Sequence, residues 1–546
     1  MIRTLENRFY YLDNFHTVVD WIGERYDALL DDVERGFIAN FAGLPQPSRA
    51  LLVRMVMRKG ELFRSDKLHY EEIGDACAAA AVLAEMGWIE RDPHLSLDEL
   101  FSLLTKAEVE SLFRGQLPKG ARKAEQLDNL RSLFPDARPY TAWHPQAHEQ
   151  VFRLHIGPLC DRLRLMFFGN LHQDWTEFVL SDLGIYRYEK VTFPASAQAF
   201  QSRQDVDAYL HLFRCRERLE AGEAMDAVLA DVPCEPLANA WLEQRRGRLL
   251  FHAGQEYERA RDWDNALRLY TGIRHPEARA RTIRVLELCG RHQDALALAQ
   301  DALAQPESEA EQQQVQRMLP RLLRHAGLPR AAAPALVEAS RIDLCMQRPD
   351  GDYAVEELVR AHLDGPDAPA WYVENTLINS LFGLLCWQAV FAPVPGAFFH
   401  PFHAGPADLH GGDFRHKRAQ EFDACLAALD NGQYKDIIRR HYRDKAGILS
   451  PFVFWDILDE SLLETALDCI PPEHLKKCFE RMLRDIRSNR SGFPDLIQFW
   501  PAEKRYRMVE VKAPGDRLQD NQLRWLDFFA AHGMPVEVCW VQWTDL

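Results

Sequence analysis

The stretch Phe493–Leu518, FPDLIQFWPAEKRYRMVEVKAPGDRL, decides how the C-terminal part of the chain folds. FPDLIQFW is a short apolar run that predicts a strand, PAEKR predicts a polar turn, and RMVEVK alternates with a period of two. This alternation places Glu510 and Lys512 side by side on one face of the second strand. If the two strands pair antiparallel across the turn, Asp495 lies near Glu510.

The residues after this stretch complete a small mixed α/β unit. RLQDNQLRWLDFFAAHG has helical spacing and a natural stop at Gly533, and PVEVCWVQW predicts a further strand. Two carboxylates can bind Mg²⁺ or Mn²⁺, and such an ion assists phosphodiester hydrolysis. A neighbouring lysine can orient water and offset charge on the phosphoryl oxygens. The pattern therefore predicts a nuclease core, with a surface ion pair between Glu510 and Lys512 as the alternative.

The composition is typical of a soluble globular protein with several domains. The chain has 546 residues, of which 47% are hydrophobic and 27% charged, and three or more domains are expected. A net charge of −16 argues against a uniform nucleic-acid-binding coat and leaves room for local basic surfaces. The 11 cysteines contain no CxxC pair, which predicts free thiols in a reducing compartment. The N-terminus lacks a signal peptide, so a cytoplasmic location is expected, at the nucleoid of a bacterium or in the nucleus of a eukaryote.

Residues 375–399 contain no charged side chain and raise the alternative of a membrane span. Pro393 and Pro395 interrupt the run, and Asn379, Ser380 and Gln388 lie inside it. These features favour a buried helix that ends near Phe391, just before the first proline.

Residues 1–92 are predicted to form a mainly helical DNA-binding domain. RALLVRMVMRKGELFRSDKLHYEEIG carries several cations and few acids, and Arg54 and Arg58 fall on one helix face. In an acidic chain this cluster indicates a phosphate-contacting surface that includes Lys59 and Lys67, with an ordinary solvated face as the alternative.

Residues 93–135 resemble a SAP domain, a small helix–turn–helix DNA-binding module. Two short amphipathic patterns flank the turn that contains Lys119, and Arg122 and Lys123 follow it. The helix start and these three cations are predicted to contact a phosphate. Residues 136–204 are irregular and are interpreted as a joining region with some helix.

Residues 205–345 are predicted to form a TPR-like helical solenoid. Ala227, Ala266, Ala295 and Ala332 each follow a turn, at intervals of about 30–40 residues, which is near the period of helical-hairpin repeats. The remaining residues, 346–546, are assigned to the nuclease domain. Within it, HLKKCFERMLRDIRSNR is a basic helical stretch whose Arg481, Arg484 and Arg487 are predicted to bind DNA.

Several motifs together resemble a known family. GFPDL, VEVKAPGDRL and NQLRWL are similar to a VRR-NUC nuclease domain, a branch of the PD-(D/E)XK superfamily. KLHYEEIG, the SAP-like hairpin, the TPR-like middle and ENTLINSLFGLLCW resemble the Fanconi-associated nuclease family in that order. The fold implied is multidomain and mainly α, with a C-terminal α/β nuclease core built on a restriction-endonuclease-like mixed sheet.

The resemblance implies a structure-specific DNA nuclease that cuts near the junction of 5′-flap DNA. It also implies 5′-to-3′ exonuclease activity, a role in interstrand crosslink repair, and Mg²⁺ or Mn²⁺ as cofactor. The implied site residues are the metal ligands Glu374, Asp495 and Glu510, the catalytic Lys512, the water- or ligand-orienting Gln522 and the phosphate-binding Arg487. Asn521 stands where family members can carry a lysine, so a pocket for a terminal 5′-phosphate is left open.

Two alternatives remain at this stage. One is a DNA-junction-binding scaffold whose nuclease core is catalytically weak, and the other is a nuclease for Holliday junctions. The intact set of Asp495, Glu510 and Lys512 argues against a decayed site. The large helical N-terminal region favours recognition of a branched DNA shape. Branched DNA is the expected partner, with a homodimer on that DNA left open, protein partners unknown and no membrane involved.

Overall fold

The computed structural model describes residues 7–118, 120–173, 186–194, 197–329, 339–349, 351 and 353–544. The chain divides into two compact units. The first comprises Met1–Arg187 with Phe200–Val206, and the second comprises Tyr188–Ala199 with Asp207–Leu546.

The first unit is mainly helical, as predicted, and also contains short strands. Its helices are α1 (Tyr10–Tyr26), α2 (Asp32–Gly43), α3 (Gln46–Val56), α4 (Ala76–Glu85), α5 (Leu97–Leu103), α6 (Lys106–Leu112), α7 (Lys123–Arg131), α8 (Tyr140–Trp143) and α9 (Gly157–Phe168). Its strands are β1 (Leu62–Arg64), β2 (Ile89–Arg91), β3 (His94–Leu95), β4 (Arg138–Pro139) and β5 (Val151–Leu154). Capping boxes at Asp31, Ser96 and Thr105 explain where α2, α5 and α6 begin.

The segment interpreted as a joining region supplies the middle strand of a sheet. Strand β5 pairs antiparallel with both β1 and β2, and helix α9 packs against α1. Residues 136–168 therefore belong to the core of the first unit. The sequence VFRL is too short to show a period of two, so only its pairing with distant strands reveals it.

The region predicted to be SAP-like consists of α5, α6 and α7 around a small core. Arg64 of β1 is buried, and its guanidinium donates to Glu108 of α6 and to Glu149. Three acids surround this arginine, since Asp66 lies 3.3 Å from its Nε. The network joins the helices of this region to the three-stranded sheet.

The second unit contains a run of helices, and from α12 onward each helix packs on the next. They are α10 (Arg203–Glu220), which starts in the first unit, α11 (Met225–Asp231), α12 (Ala240–Arg259), α13 (Trp263–Thr271), α14 (Ala278–Leu288), α15 (His292–Ala304) and α16 (Glu309–His325). Ala266 and Ala295 are fully buried, as small residues between helices should be, whereas Ala227 is exposed and Ala332 lies outside the described residues. The tightest approach is at Gly254, where a Cβ would lie 2.6 Å from the Tyr270 ring.

The C-terminal part of the chain, from Ser340 onward, has a five-stranded mixed sheet in the order β6-β10-β9-β8-β7. Its strands are β6 (Ser340–Gln347), β7 (Ala370–Tyr372), β8 (Leu496–Trp500), β9 (Arg505–Lys512) and β10 (Val536–Thr544). Its helices are α17 (Val355–Leu363), α18 (Leu377–Leu385), α19 (Trp387–Val390), α20 (Phe414–Lys417), α21 (Ala419–Asp430), α22 (Tyr434–Asp444), α23 (Glu460–Cys469), α24 (Pro472–Arg484), α25 (Ile486–Asn489) and α26 (Asp520–Ala531).

The predicted strand–turn–strand–helix–strand order is confirmed. Strand β8 pairs antiparallel with β9 across the turn, and β10 pairs parallel with β9 after α26. Val509 and Val511 face a small core that contains Val359 of α17, while Met508 faces the large core of the domain. The period of two in RMVEVK therefore separates two buried layers.

The uncharged run 375–399 is buried within the protein, and the predicted end of its helical part near Phe391 is confirmed. Helices α18 and α19 lie in the large core, and two polar side chains of the run form hydrogen bonds there. The Asn379 amide nitrogen donates to the Asn375 and Arg490 carbonyls, and the Ser380 hydroxyl accepts from the Phe454 N–H. In the parts of the chain that are described, no helix has both the length and the apolar character that a bilayer span requires.

Candidate active site

Asp495, Glu510 and Lys512 lie together where strand β8 begins and strand β9 ends. Leu496 is paired with Val509, so the residue before β8 comes to lie across from Glu510. The Lys512 Nζ donates to Glu510 Oε1 at 2.6 Å, and the Val511 N–H donates to Asp495 Oδ2 at 2.7 Å. Both contacts hold the carboxylates in fixed orientations.

All three side chains are buried, with exposed fractions of 6% for Asp495, 0% for Glu510 and 7% for Lys512. Burial, together with the charge of Glu374, raises the pKa of Asp495 to about 6. Burial and then the charge of Asp495 raise the pKa of Glu510 to about 7, although Lys512 acts in the opposite direction. Two acids therefore share a site in which a further positive charge would be favourable.

Glu374 reaches the same site from the turn between β7 and α18. Helix α18 begins at Leu377, so Glu374 precedes it. The Tyr372 hydroxyl donates to Glu374 Oε2 at 2.6 Å, and the Asn375 amide donates to Oε1 at 3.1 Å. The Val373 N–H also donates to the Asp495 carbonyl, which ties this turn to the start of β8.

Asn375 is a positioning residue that the sequence analysis missed. Its backbone is left-handed, with φ of 52°, a conformation that asparagine tolerates better than most residues. Its Oδ1 accepts from the Gly492 N–H at 2.7 Å and from the Phe493 N–H at 3.1 Å. One side chain thus holds the segment before Asp495 while its amide supports Glu374. The only local signal is an asparagine directly after the glutamate.

Gly492 allows this segment to pack closely on helix α26. A Cβ at Gly492 would lie 2.7 Å from the Asn521 carbonyl carbon, and its φ of 95° strains any other residue. Asn521 donates from its amide to the Ser491 hydroxyl. Gln522, predicted to orient water or a ligand, uses its Oε1 to accept from the Gln519 N–H at the start of α26. The side-chain amide oxygen of Gln522 therefore caps the start of α26.

A fourth carboxylate, Glu356 in the first turn of α17, also acts on the site because its charge raises the pKa of Asp495. Nothing in the sequence links it to the motif, from which it is separated by most of the nuclease domain. Its contribution makes the site more acidic than Asp495 and Glu510 alone.

The donor set fits a hard divalent cation. All candidate ligands are carboxylates, and Glu510 Oε2 is buried without a hydrogen-bond partner in the structure. As the side chains stand, no group of three or more His, Cys, Asp or Glu residues within the described ranges is arranged to hold an ion. The carboxylate oxygens instead accept hydrogen bonds from Lys512, the Val511 N–H and Tyr372. The residues that would hold the ion are Glu374, Asp495 and Glu510.

The cations predicted to bind DNA in the first unit differ in their availability. Arg58, Lys59 and Lys67 are exposed, and Arg58 donates to the Lys67 carbonyl. Arg54 instead pairs with Glu72 at 2.8 Å, and its guanidinium lies 3.8 Å from the centre of the Tyr11 ring. Arg54 therefore supports the fold locally.

The SAP-like region shows the same division. Arg122 is exposed directly before α7, where it was predicted to meet a phosphate. The Lys123 ammonium donates to the Leu104 carbonyl at 2.7 Å and so completes the end of α5. Lys119 lies outside the described residues.

The prediction that Arg481 faces DNA is corrected by its burial. Only 3% of the residue is exposed, and its guanidinium donates to Glu309 of α16 and to the Arg524 carbonyl. It also lies 4.3 Å from the Trp525 ring centre. The charge pattern of α24 could not reveal this, because Glu309 is remote in sequence. Arg484 and Arg487 are exposed, and Arg487 pairs with Glu277 at 3.2 Å.

Replacing Arg481 with methionine is expected to lower stability by about 2 kcal/mol, because charged hydrogen bonds are lost inside the unit. Arg484→Met is the matched control on the same helix, and its effect should stay within about 0.5 kcal/mol. Thermal unfolding of the two variants compares them directly. Equal unfolding midpoints would contradict a structural role for Arg481.

Three family models match parts of the chain. "FAN1, HTH domain" matches residues 9–90, "Fanconi anemia-associated nuclease SAP domain" matches 94–143, and "VRR-NUC domain" matches 429–543. The Fanconi-associated nuclease 1 homolog of Pseudomonas aeruginosa is 58% identical over 540 residues, which cover 99% of this chain and 97% of the relative. The chain belongs to the Fanconi-associated nuclease family.

More distant members of the Fanconi-associated nuclease family extend the similarity to eukaryotes. The human Fanconi-associated nuclease 1 is 24% identical over 97% of this chain and 62% of its own length. A crystal structure of paFAN1 bound to DNA with a two-nucleotide 5′ flap and a gap superposes with a TM-score of 0.94, at 57% identity and full coverage of both chains. The protein is thus a DNA nuclease, and its VRR-NUC domain is of a typically metal-dependent kind.

Proposed function

We propose that this Fanconi-associated nuclease hydrolyses a phosphodiester near the junction of 5′-flap DNA, with Mg²⁺ or Mn²⁺ as cofactor. The observation that carries the proposal is the buried set of Asp495, Glu510 and Lys512 beside Glu374. A relative of similar structure was crystallised with 5′-flap DNA, which supports the choice of substrate. The 5′-to-3′ exonuclease activity and the role in interstrand crosslink repair are part of the same proposal.

The chemistry follows from the positions of these side chains. When bound, a divalent ion lowers the pKa of water and offsets charge on the phosphoryl group. Glu374, Asp495 and Glu510 provide the negative charge that holds such an ion, and the Val511 N–H keeps Asp495 in place. The Lys512 ammonium lies at the same site and donates a hydrogen bond to a phosphoryl oxygen as negative charge develops there. Water attacks phosphorus and loses a proton to solvent, the bond to the leaving oxygen breaks, and that oxygen takes up a proton from solvent.

Cleavage of labelled DNA tests the proposal. Matched 5′-flap, blunt duplex and four-way junction substrates are each incubated with Mn²⁺, Mg²⁺ or EDTA. We expect the flap to be cut fastest, near its junction, and no substrate to be cut in EDTA. Cleavage in EDTA would contradict the metal requirement, and equal rates on flap and blunt duplex would contradict structure specificity. Preference for the four-way junction would favour a resolvase, and binding without cleavage would favour a scaffold.

The exposed cations are proposed to contact the DNA backbone. They are Arg58, Lys59, Lys67, Arg122, Arg484 and Arg487. The HTH and SAP matches support this for the first four, and the position of the last two beside the nuclease core supports it for them. Each lost phosphate contact weakens binding and lowers its salt dependence.

Replacing both Arg58 and Lys59 with glutamate is expected to weaken flap binding by about tenfold or more and to reduce the salt slope by about two. Arg35→Glu is the control, because Arg35 is a surface cation of the same unit that pairs with Asp27. Fluorescence anisotropy at several salt concentrations measures both quantities. If the dependence of flap binding on salt concentration is unchanged in the double variant, Arg58 and Lys59 are solvated surface residues that do not contact DNA.

The domain organisation is proposed from the same observations. Residues 1–92 and 93–135 form DNA-binding modules, and the helices up to α16 form a TPR-like solenoid. The nuclease domain with its restriction-endonuclease-like sheet begins at Ser340 rather than at the predicted residue 346, because strand β6 pairs with β10. Helix α16 supports the nuclease domain directly, since Arg317 pairs with Asp520 and Arg524 donates to Gln313. The solenoid is therefore a platform for helix α26.

A further inference from the structure

Tyr372 is an exposed aromatic residue directly beside the candidate active site. It ends strand β7 at the edge of the five-stranded sheet, opposite Leu496, which follows Asp495. Its exposed fraction is 40%, which is unusual for a large side chain next to buried carboxylates. Among the described residues, no other aromatic ring stacks on it.

The ring is held in place by its hydroxyl. That hydroxyl donates to Glu374 Oε2 at 2.6 Å, so the ring cannot rotate away without breaking a hydrogen bond to a charged group. An aromatic ring that is already fixed loses little conformational entropy when a ligand stacks on it. The hydrogen bond also orients Glu374, because a donor behind a ligating carboxylate limits its rotation.

The space beside the ring is open. Tyr372 lines a groove of about 440 Å³ together with Trp371 and with Arg360 of α17. Arg360 is already paired with Glu357 and lies 3.8 Å from Asp364, so the groove carries no free positive charge for a phosphate. An aromatic wall without a free cation suits the flat face of a nucleobase better than the DNA backbone.

We propose that Tyr372 stacks on the nucleobase adjacent to the scissile phosphate and, through its hydroxyl, positions Glu374. The proposal rests on the function proposed above and adds a residue that positions the DNA strand for cleavage. Stacking on an aromatic ring tolerates any base, because every base has a π face. This suits an enzyme that recognises the shape of its DNA.

Two substitutions separate the two roles. Tyr372→Phe keeps the ring and removes the hydroxyl, whereas Tyr372→Leu removes both. Base stacking is measured with 2-aminopurine placed singly at successive positions around the mapped cut, in an Asp495→Asn background that binds flap DNA without cutting it. We expect the fluorescence to be quenched at one or two positions beside the cut. The quenching should persist with Tyr372→Phe and disappear with Tyr372→Leu.

Cleavage kinetics provide an independent measurement. An abasic site at the quenched position should lower kcat/KM of the otherwise unaltered enzyme by about tenfold. In the Tyr372→Leu enzyme the same abasic site should have no further effect, because the base and the ring act as a pair. Equal effects of the abasic site in both enzymes, or quenching unchanged by Tyr372→Leu, would overturn the stacking role.

The positioning role is tested by Mn²⁺ binding in the absence of DNA, followed by electron paramagnetic resonance. Tyr372→Phe should weaken Mn²⁺ binding by about tenfold, and Tyr372→Leu should weaken it equally. Unchanged affinity in Tyr372→Phe would overturn that role. If the unaltered enzyme fails to cut flap DNA, the proposed function itself fails. If it cuts the flap but substitutions of Tyr372 do not change the 2-aminopurine fluorescence, only the proposed stacking role fails.

Discussion

Replacing Asp495 with asparagine is expected to abolish cleavage of 5′-flap DNA, with a fall in kcat of at least about 10³-fold. Asparagine keeps the size of the side chain and an oxygen that accepts from the Val511 N–H, so the local structure should survive. It removes one of the buried negative charges that make the site favourable for a divalent ion. Cleavage of labelled flap DNA with Mn²⁺ measures the loss.

Binding and a matched variant show whether the loss is chemical. Flap affinity of Asp495→Asn, measured by anisotropy, should stay within about threefold of the unaltered protein, because the exposed cations that contact phosphates are unchanged. Glu503→Gln is the control, since Glu503 is an exposed acid on the turn between β8 and β9 that pairs with Arg505. It should cut at the normal rate. If Asp495→Asn retains more than a tenth of the activity, the site has been placed wrongly.

The second large effect is on pH dependence. Asp495 and Glu510, with pKa values of about 6 and about 7, must lose their protons before they can serve as metal ligands. At a subsaturating Mn²⁺ concentration, the cleavage rate should rise steeply between about pH 5 and pH 7 and then level off, by about tenfold per pH unit for each proton lost. Higher Mn²⁺ should move this rise to lower pH, because the ion competes with protons. A rate that is flat from pH 5 to pH 8 would contradict the assignment.

The raised pKa values of Asp495 and Glu510 also predict that the stability of the metal-free protein falls as the pH rises, whereas the cleavage rate increases. Their pKa values in the folded protein exceed the ordinary values of 3.8 and 4.5, so the folded protein binds more protons than the unfolded chain. The stabilisation is fully present below about pH 4 and is lost as pH rises through about 6 and 7. For Asp495 alone the difference is about 3 kcal/mol, from 1.36 kcal/mol per pKa unit.

Thermal unfolding in EDTA between pH 5 and pH 8 measures this trend. Asp495→Asn carries no titrating group at that position, so its unfolding midpoint should rise relative to the unaltered protein as the pH increases. At pH 8 the inactive Asp495→Asn variant should therefore be more stable than the unaltered protein, because the buried charge that the activity requires destabilises the fold. A midpoint difference that does not change with pH would show that Asp495 is not destabilised by its burial.

Local patterns predicted much of the catalytic core. The period of two in RMVEVK placed Glu510 beside Lys512, and the short polar turn placed Asp495 across from Glu510. The same reasoning predicted helix α26 and strand β10. These features depend on residues close together in the chain, where backbone geometry alone decides which side chains share a face.

Other features could not be predicted from the sequence, because they depend on residues that are distant along the chain. A basic helix pattern cannot show that Arg481 meets Glu309, and the four residues of β5 gain their place from β1 and β2. The resemblance supplied Glu374, but its support by Tyr372 and Asn375 became visible only in the folded chain.

By itself, the sequence determined the order of the nuclease elements, the carboxylate–lysine set and, by resemblance, the family. The tertiary structure decided which cations remain available for DNA, how deeply the acids are buried and which side chains hold them. The physical reason is that hydrogen-bond direction and strand period act over a few residues. Burial, ion pairing and raised pKa values arise from contacts between segments that only folding brings together.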